Sequence, residues 1–138
     1  MIFTSYFANI KKFPKNVIPV AICAKVPDWY KGIRYSKLAP NYDILMKYKD
    51  DHNEADYIKR FNNTTLADLN PVKVSFELQD LLGSFHDIYL VLAPLCDNPS
   101  YHIALVCYEK PGDFCHRHLV ADWFRRNGIE CEEWENDG

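Results

Sequence analysis

The chain lacks most of the short signatures from which a function is read directly. It has no Gly-x-Gly-x-x-Gly fingerprint and no Walker loop, with only five glycines in 138 residues, so the familiar glycine-rich phosphate cradles are missing. It has no Cys-x-x-Cys, which argues against a thioredoxin-like pair and against the paired-cysteine knuckles of structural zinc sites. No apolar run reaches the roughly 18 residues of a membrane span. There is no signal-peptide pattern either, so a soluble cytoplasmic protein with no membrane partner is expected. Positive charge is not in excess: 16 Lys and Arg face 19 Asp and Glu, a net charge of −3, with a pI near 5.9. That balance excludes a bulk electrostatic grip on duplex DNA; any nucleic-acid contact would need a local basic patch. The five cysteines are odd in number and irregularly spaced, unlike a secreted disulfide framework, and reduced thiols are expected. No internal repeat or low-complexity tract is present.

What the chain does have is apolar and aromatic side chains, 48% and 14% of its residues, enough for one folded domain over residues 1–138. Met1 to Phe7 and Val17 to Ala24 read as strands, the latter with Pro19 near its start or at an edge. Ile10 to Pro14 is a connector or single helical turn, and Cys23 is a small core residue. Helical spacing covers Tyr42 to Tyr48 and Asn53 to Phe61, and Asn62-Asn-Thr-Thr is a turn cluster. Asn70-Pro71 opens a helix expected to reach Ala93, although Ile88 to Leu92 also has strand composition. Ile129 to Trp134 alternates like a half-exposed last strand, its outer glutamates guarding the edge. Strands alternating with helices give an α/β fold: a mostly parallel sheet of about four strands with helices on both faces.

The densest chemistry lies between His102 and Gly128. Ile103 to Cys107 is a continuously apolar strand, and Pro111-Gly112 a turn. Asp113 is placed to cap a helix beginning at Phe114 or Cys115, and Gly128 to end it. Leu119, Val120, Trp123 and Phe124 form its apolar stripe. Cys107, Glu109 and Lys110 then sit at a strand's carboxyl end, and Cys115, His116 and Arg117 in a helix's first turn. In an open α/β sheet that crevice is where ligands bind. A helix start favours anions and pushes a thiol toward thiolate, and Arg117 adds a planar fork suited to phosphate. The competing reading makes Cys115 a buried thiol, His116 a cap for a loop carbonyl, and Arg117 the partner of Glu109.

Two other regions can face the same crevice. Tyr6 lies at the end of the first strand and Lys25 at the end of the second. Residues 27–42 interleave Trp29, Tyr30 and Tyr35 with Lys31, Arg34 and Lys37, a mixture suited to stacking on a base, or simply to packing a long loop.

Spacing rules out several chemistries. A phosphatase loop needs an arginine six positions after its cysteine, and those positions hold Asp113 (from Cys107) and Ala121 (from Cys115). Zinc could use Cys115, His118 and Cys107, but a fourth ligand is missing, so no metal is expected. Nucleophilic chemistry would use Cys115, with Glu109 or His116 moving protons. Adjacent helical residues point about 100° apart, which disfavours a dyad made from Cys115 and His116.

The run Leu105-Val-Cys-Tyr-Glu-Lys followed by Cys115-His-Arg-His-Leu-Val-Ala-Asp-Trp resembles the bacterial and phage family called domain of unknown function 488. Its members carry a strand ending in Cys-x-Glu, then a loop, then Cys-His-Arg opening a helix. Pro27-Asp-Trp-Tyr and Tyr35-Ser-Lys-Leu-Ala-Pro are similar to a subgroup of it. The resemblance implies a Rossmann-like domain whose shared site includes Cys107, Glu109, Cys115, His116 and Arg117. It carries no activity with it. The expectation is an enzyme, cytoplasmic or phage-encoded and acting in the host cytoplasm, whose ligand is anionic: a nucleotide or nucleic-acid-derived molecule. Its anionic group would rest at Cys115-His116-Arg117 and its ring on Trp29 or Tyr30, with Tyr6, Lys25, Cys107 and Lys110 nearby. The alternative is a non-catalytic module that sequesters an anionic ligand or a protein partner. The sequence names no cofactor and no oligomeric state.

Overall fold

Alternation along the strands decides which side of the sheet each residue serves. In the strand His102–Cys107, Ile103 and Leu105 join one apolar cluster while Ala104 and Val106 join another. A strand covered on both faces can be continuously apolar, which is why this one reads without polar interruption. The computed structural model describes residues 1–82, 101–109 and 114–135. Its strands are β1 (Ile2–Tyr6), β2 (Val17–Ala21), β3 (Ile33–Arg34), β4 (His102–Cys107) and β5 (Cys131–Glu133). They form one sheet in the order β3-β2-β4-β1-β5, and every pairing is parallel. The expected α/β, Rossmann-like architecture is the one observed, with a fifth strand added. β3 is only two residues long, too short to leave a period-2 signal within residues 27–42. Its ladder covers only Val20 and Ala21 of β2, so Pro19 sits where that side of β2 carries no strand.

The helices are α1 (Tyr42–Asp51), α2 (Glu54–Phe61), α3 (Pro71–Leu81) and α4 (His116–Arg126). Asn41, Asn53 and Asn70 cap the first three, each side chain accepting from backbone N–H groups of the opening turn. All four bury residues in the cluster built on Val20, Ile22, Ile103 and Leu105, among them Ile44, Phe61, Leu78 and Phe124. Each such side chain contributes about 1.5–3 kcal/mol. The opposite face is covered by Phe7, Tyr30 and their neighbours. There a 3₁₀ helix, Phe7–Lys12, supplies the helical turn that is one of the two readings for Ile10 to Pro14, starting earlier in the chain. No helix among the described residues is long and apolar enough to cross a membrane.

Two local expectations change. The Asn62–Leu66 stretch is not a turn cluster but a π-helical turn continuing α2, held by the buried Leu66. α3 closes at Leu81 with Leu82 as its cap, so it does not run unbroken to Ala93; glycine follows at position 83, where helix propensity drops by about 1 kcal/mol. The choice between helix and strand for Ile88 to Leu92 lies outside the described residues, as does the capping role assigned to Asp113. On the edge strand β5, Glu132 is exposed as the alternation predicts, while Glu133 shares the face of the buried Cys131 and is only partly exposed.

Candidate active site

α4 starts directly after Cys115, which holds extended backbone (φ −152, ψ 143) and caps the helix without a side-chain hydrogen bond. Cys115, His116 and Arg117 are all buried, but they do three different things. Arg117 has no exposed surface. Its Nε and Nη2 donate to the two carboxylate oxygens of Glu133 at 3.1 and 2.9 Å. Its Nη1 donates to Cys107 Sγ at 3.1 Å and to the Glu109 carbonyl. Thr4 Oγ1 donates to the same carboxylate at 2.7 Å, and the Tyr6 ring lies 5.7 Å from the guanidinium carbon. A fork with its donors so occupied is an internal brace rather than an anion clamp. Arg117 and Tyr6 therefore leave the set of ligand-facing residues, and the partner of Arg117 is the Glu133 carboxylate rather than that of Glu109.

His116 Nε2 lies 2.6 Å from the Ile22 carbonyl. A carbonyl only accepts, so Nε2 carries the proton and Nδ1 presents its lone pair. Nδ1 faces Cys115 Sγ at 3.9 Å. The objection that neighbouring helical side chains diverge does not hold here, because Cys115 is the extended residue before the helix and not a member of it. Burial pushes the imidazole pKa down from 6.5 to about 4, with the Ile22 contact opposing and the Arg117 charge assisting. The ring is neutral at pH 7.

Cys107 and Cys115, eight residues apart, are joined as a disulfide. β4 delivers one sulfur and the cap of α4 returns the other beside it. The two sulfurs and a Glu109 carboxylate oxygen lie within 4.8 Å of one another. When reduced, that trio could supply three donors to a divalent metal and leave a position open. His118, considered earlier as a ligand with Cys115, is exposed and outside the group.

A cavity of about 350 Å³ opens beside this centre. Cys115, His116 and Glu109 line it, together with Lys25 from beyond β2. Its walls are aromatic and apolar: Tyr42, Leu45, Met46 and Tyr48 from α1, Tyr57 from α2, and Tyr108 and Phe114 from the flanks of the motif. Phe114 packs on Tyr48 and Tyr57 at 5.2 and 4.9 Å between ring centres. Lys49 adds a second cation, and Cys23 a further thiol. Cys23 donates to the Lys25 carbonyl at 2.9 Å, and burial pushes its pKa up to about 11, so it stays protonated. It belongs to a cavity wall as well as to the core.

Four sequence-derived candidates thus meet in one cavity: Cys115, His116, Glu109 and Lys25. Cys107 lies behind them, bonded to Cys115. Trp29 and Tyr30 do not line it. Trp29 is exposed and edges onto Phe7. Tyr30 is buried, donates to the Ile33 carbonyl at 2.5 Å, and packs so tightly over Gly32 that a Cβ there would meet its ring at 2.8 Å. Tyr30 packs the loop, and Trp29 lies on the surface beside it. Lys110 lies outside the described residues. The sequence reading missed Tyr42, Tyr48, Tyr57 and Lys49 as cavity walls, since helical spacing marks them only as one face of a helix.

The family model described as the active DUF488-N3 subclade matches residues 6–128. The chain belongs to the DUF488 family. No curated protein and no solved structure matches it. In this DUF488 domain the matched span takes in the cavity walls and the Cys115-His116-Arg117 turn. Thr4 and Glu133, which complete the brace around Arg117, fall outside it.

Proposed function

We propose that this DUF488 protein is an enzyme of the cytoplasm acting on an anionic, ring-bearing ligand of the nucleotide class. Cys115 is the nucleophile, His116 Nδ1 takes its proton, and Glu109 is the second proton carrier. The observation that carries this reading is the convergence of Cys115 and a tautomer-fixed His116 on one aromatic-walled cavity. A nucleophile, a base within reach and a third group orienting the base make up the usual pattern of covalent catalysis. The cavity volume, about 350 Å³, falls in the range of small-molecule sites. Lys25 and Lys49 supply the charge for a phosphate, beside the electropositive start of α4. Tyr42, Tyr48 and Tyr108 supply faces for a ring. Membership of a subclade described as active agrees with turnover rather than mere capture.

The test uses reduced protein and a panel of nucleoside mono-, di- and triphosphates, with binding followed by calorimetry and turnover by product analysis. The Cys115→Ser protein is expected to keep affinity and lose turnover. Lys25→Ala combined with Lys49→Ala is expected to weaken binding about tenfold or more, as when charge-assisted contacts are lost. Failure of every nucleotide to bind would sink the ligand class. Full turnover by Cys115→Ser would sink the mechanism.

A further inference from the structure

Cys107 and Cys115 are not equivalent. Cys115 lines the cavity, with only 4% of its surface exposed, so a solute reaches it through the cavity. Cys107 does not line the cavity, is 1% exposed, and holds the Arg117 guanidinium against its sulfur. The disulfide between them joins a sulfur that faces the cavity to a sheltered one, which is the division of labour of a peroxide-reacting cysteine and its resolving partner. Disulfides inside reducing compartments are mostly catalytic or redox-sensing.

We infer that Cys115 is the site of attack on a small hydroperoxide and that Cys107 resolves the product, giving the protein a thiol-dependent peroxide-reducing activity that switches off its nucleophile. In the first step His116 Nδ1 takes the thiol proton, and Cys115 Sγ attacks the near oxygen of hydrogen peroxide. The O–O bond breaks, Cys115 becomes a sulfenic acid, and the departing hydroxide recovers the proton from His116 as water. In the second step the Cys107 thiolate attacks the Cys115 sulfur. The S–S bond forms, the S–O bond breaks, and hydroxide leaves to be protonated by solvent. Two thiols are oxidised by one peroxide, which leaves as two waters. A small dithiol restores the starting state by exchange. The inference rests on the proposed role of Cys115 as nucleophile, and it adds a substrate and a mode of control.

The experiment starts from fully reduced wild-type protein, brief exposure to submillimolar hydrogen peroxide, an acid quench, alkylation in denaturant and peptide mass mapping. Cys107 and Cys115 are expected to be lost together as alkylatable thiols, giving a cross-linked peptide pair with no added oxygen, and dithiothreitol is expected to return both. In Cys107→Ser, Cys115 is expected to gain one oxygen and to be trapped by dimedone. In Cys115→Ser, Cys107 is expected to remain a thiol. Wild-type protein that keeps both thiols free would overturn the inference, including a form that holds zinc on them and resists peroxide. So would oxidation of Cys107 in Cys115→Ser as fast as in wild type. The wild-type mapping decides the matter even if a variant fails to fold. Nucleotide turnover that is indifferent to peroxide would remove this inference and leave the enzyme reading standing. Peroxide chemistry without nucleotide binding would do the reverse.

Discussion

Arg117 is the residue whose role changed most between sequence and structure. With no exposed surface and a two-pronged contact to a partly exposed Glu133, it is a buried charge whose compensation comes mainly from one carboxylate. Removing that partner leaves the guanidinium uncompensated, so Glu133→Ala is expected to cost about 3 kcal/mol, measured by urea denaturation. Glu133→Gln should lose less, since the amide oxygen still accepts. His116 provides a second residue-level test. Its folded pKa of about 4 lies below the ordinary 6.5, so between those values the unfolded chain binds a proton that the folded chain refuses. Stability should therefore fall by about 3 kcal/mol as pH drops through that window, and be fully present above it. Denaturation across that pH range, with His116→Gln showing a shallower loss, measures it. The sequence showed that Arg117 and His116 open a helix, because an apolar strand, a Pro-Gly turn and an apolar stripe are local signals. It did not show their partners. Ile22 lies 94 positions away from His116 and Glu133 is 16 beyond Arg117, and only the sheet order brings either within reach.

At the scale of elements, α4 and β5 depend on how the chain leaves the helix. Gly128 holds φ +78, and a Cβ there would meet nothing within 4 Å. Gly128→Ala therefore carries a backbone penalty and no clash, expected at about 1–2 kcal/mol by thermal or urea unfolding, with the structure otherwise unchanged. After the turn, Arg125 Nη1 donates to the Cys131 carbonyl at 2.7 Å, tying the short β5 back to the helix that precedes it. Glycine at a helix end was legible in the sequence because few other residues take that conformation. The elements that were not legible carry weak local patterns: β3 is two residues long, and the π-helical turn at Asn62–Leu66 has the composition of a loop. The walls of the cavity fall between these cases. Tyr42, Tyr48 and Tyr57 were placed on helices correctly, but the packing of α1 and α2 over the ends of β2 and β4 is a tertiary fact.

For the whole molecule, the parallel sheet determines where chemistry can occur. β2 and β4 end side by side, α4 starts beside them, and the cavity occupies the space between these ends and α1. Closing the loop between Cys107 and Cys115, a sequence separation of eight, also constrains the unfolded chain. Reduction is expected to lower stability by about 2–3 kcal/mol, seen as a shift in urea midpoint between oxidised and reduced protein. The central claim is that the reduced molecule presents Cys115 as an activated thiol on the floor of a nucleotide-sized cavity. The most direct test is the rate at which each cysteine of the native, reduced protein is alkylated by iodoacetamide, followed by peptide mapping with and without a saturating nucleoside monophosphate. Cys115 is expected to react well ahead of Cys131 and the protonated Cys23, and to be slowed by the nucleotide. A Cys115 that reacts no faster than Cys131, or whose rate ignores every nucleotide tried, would contradict the account.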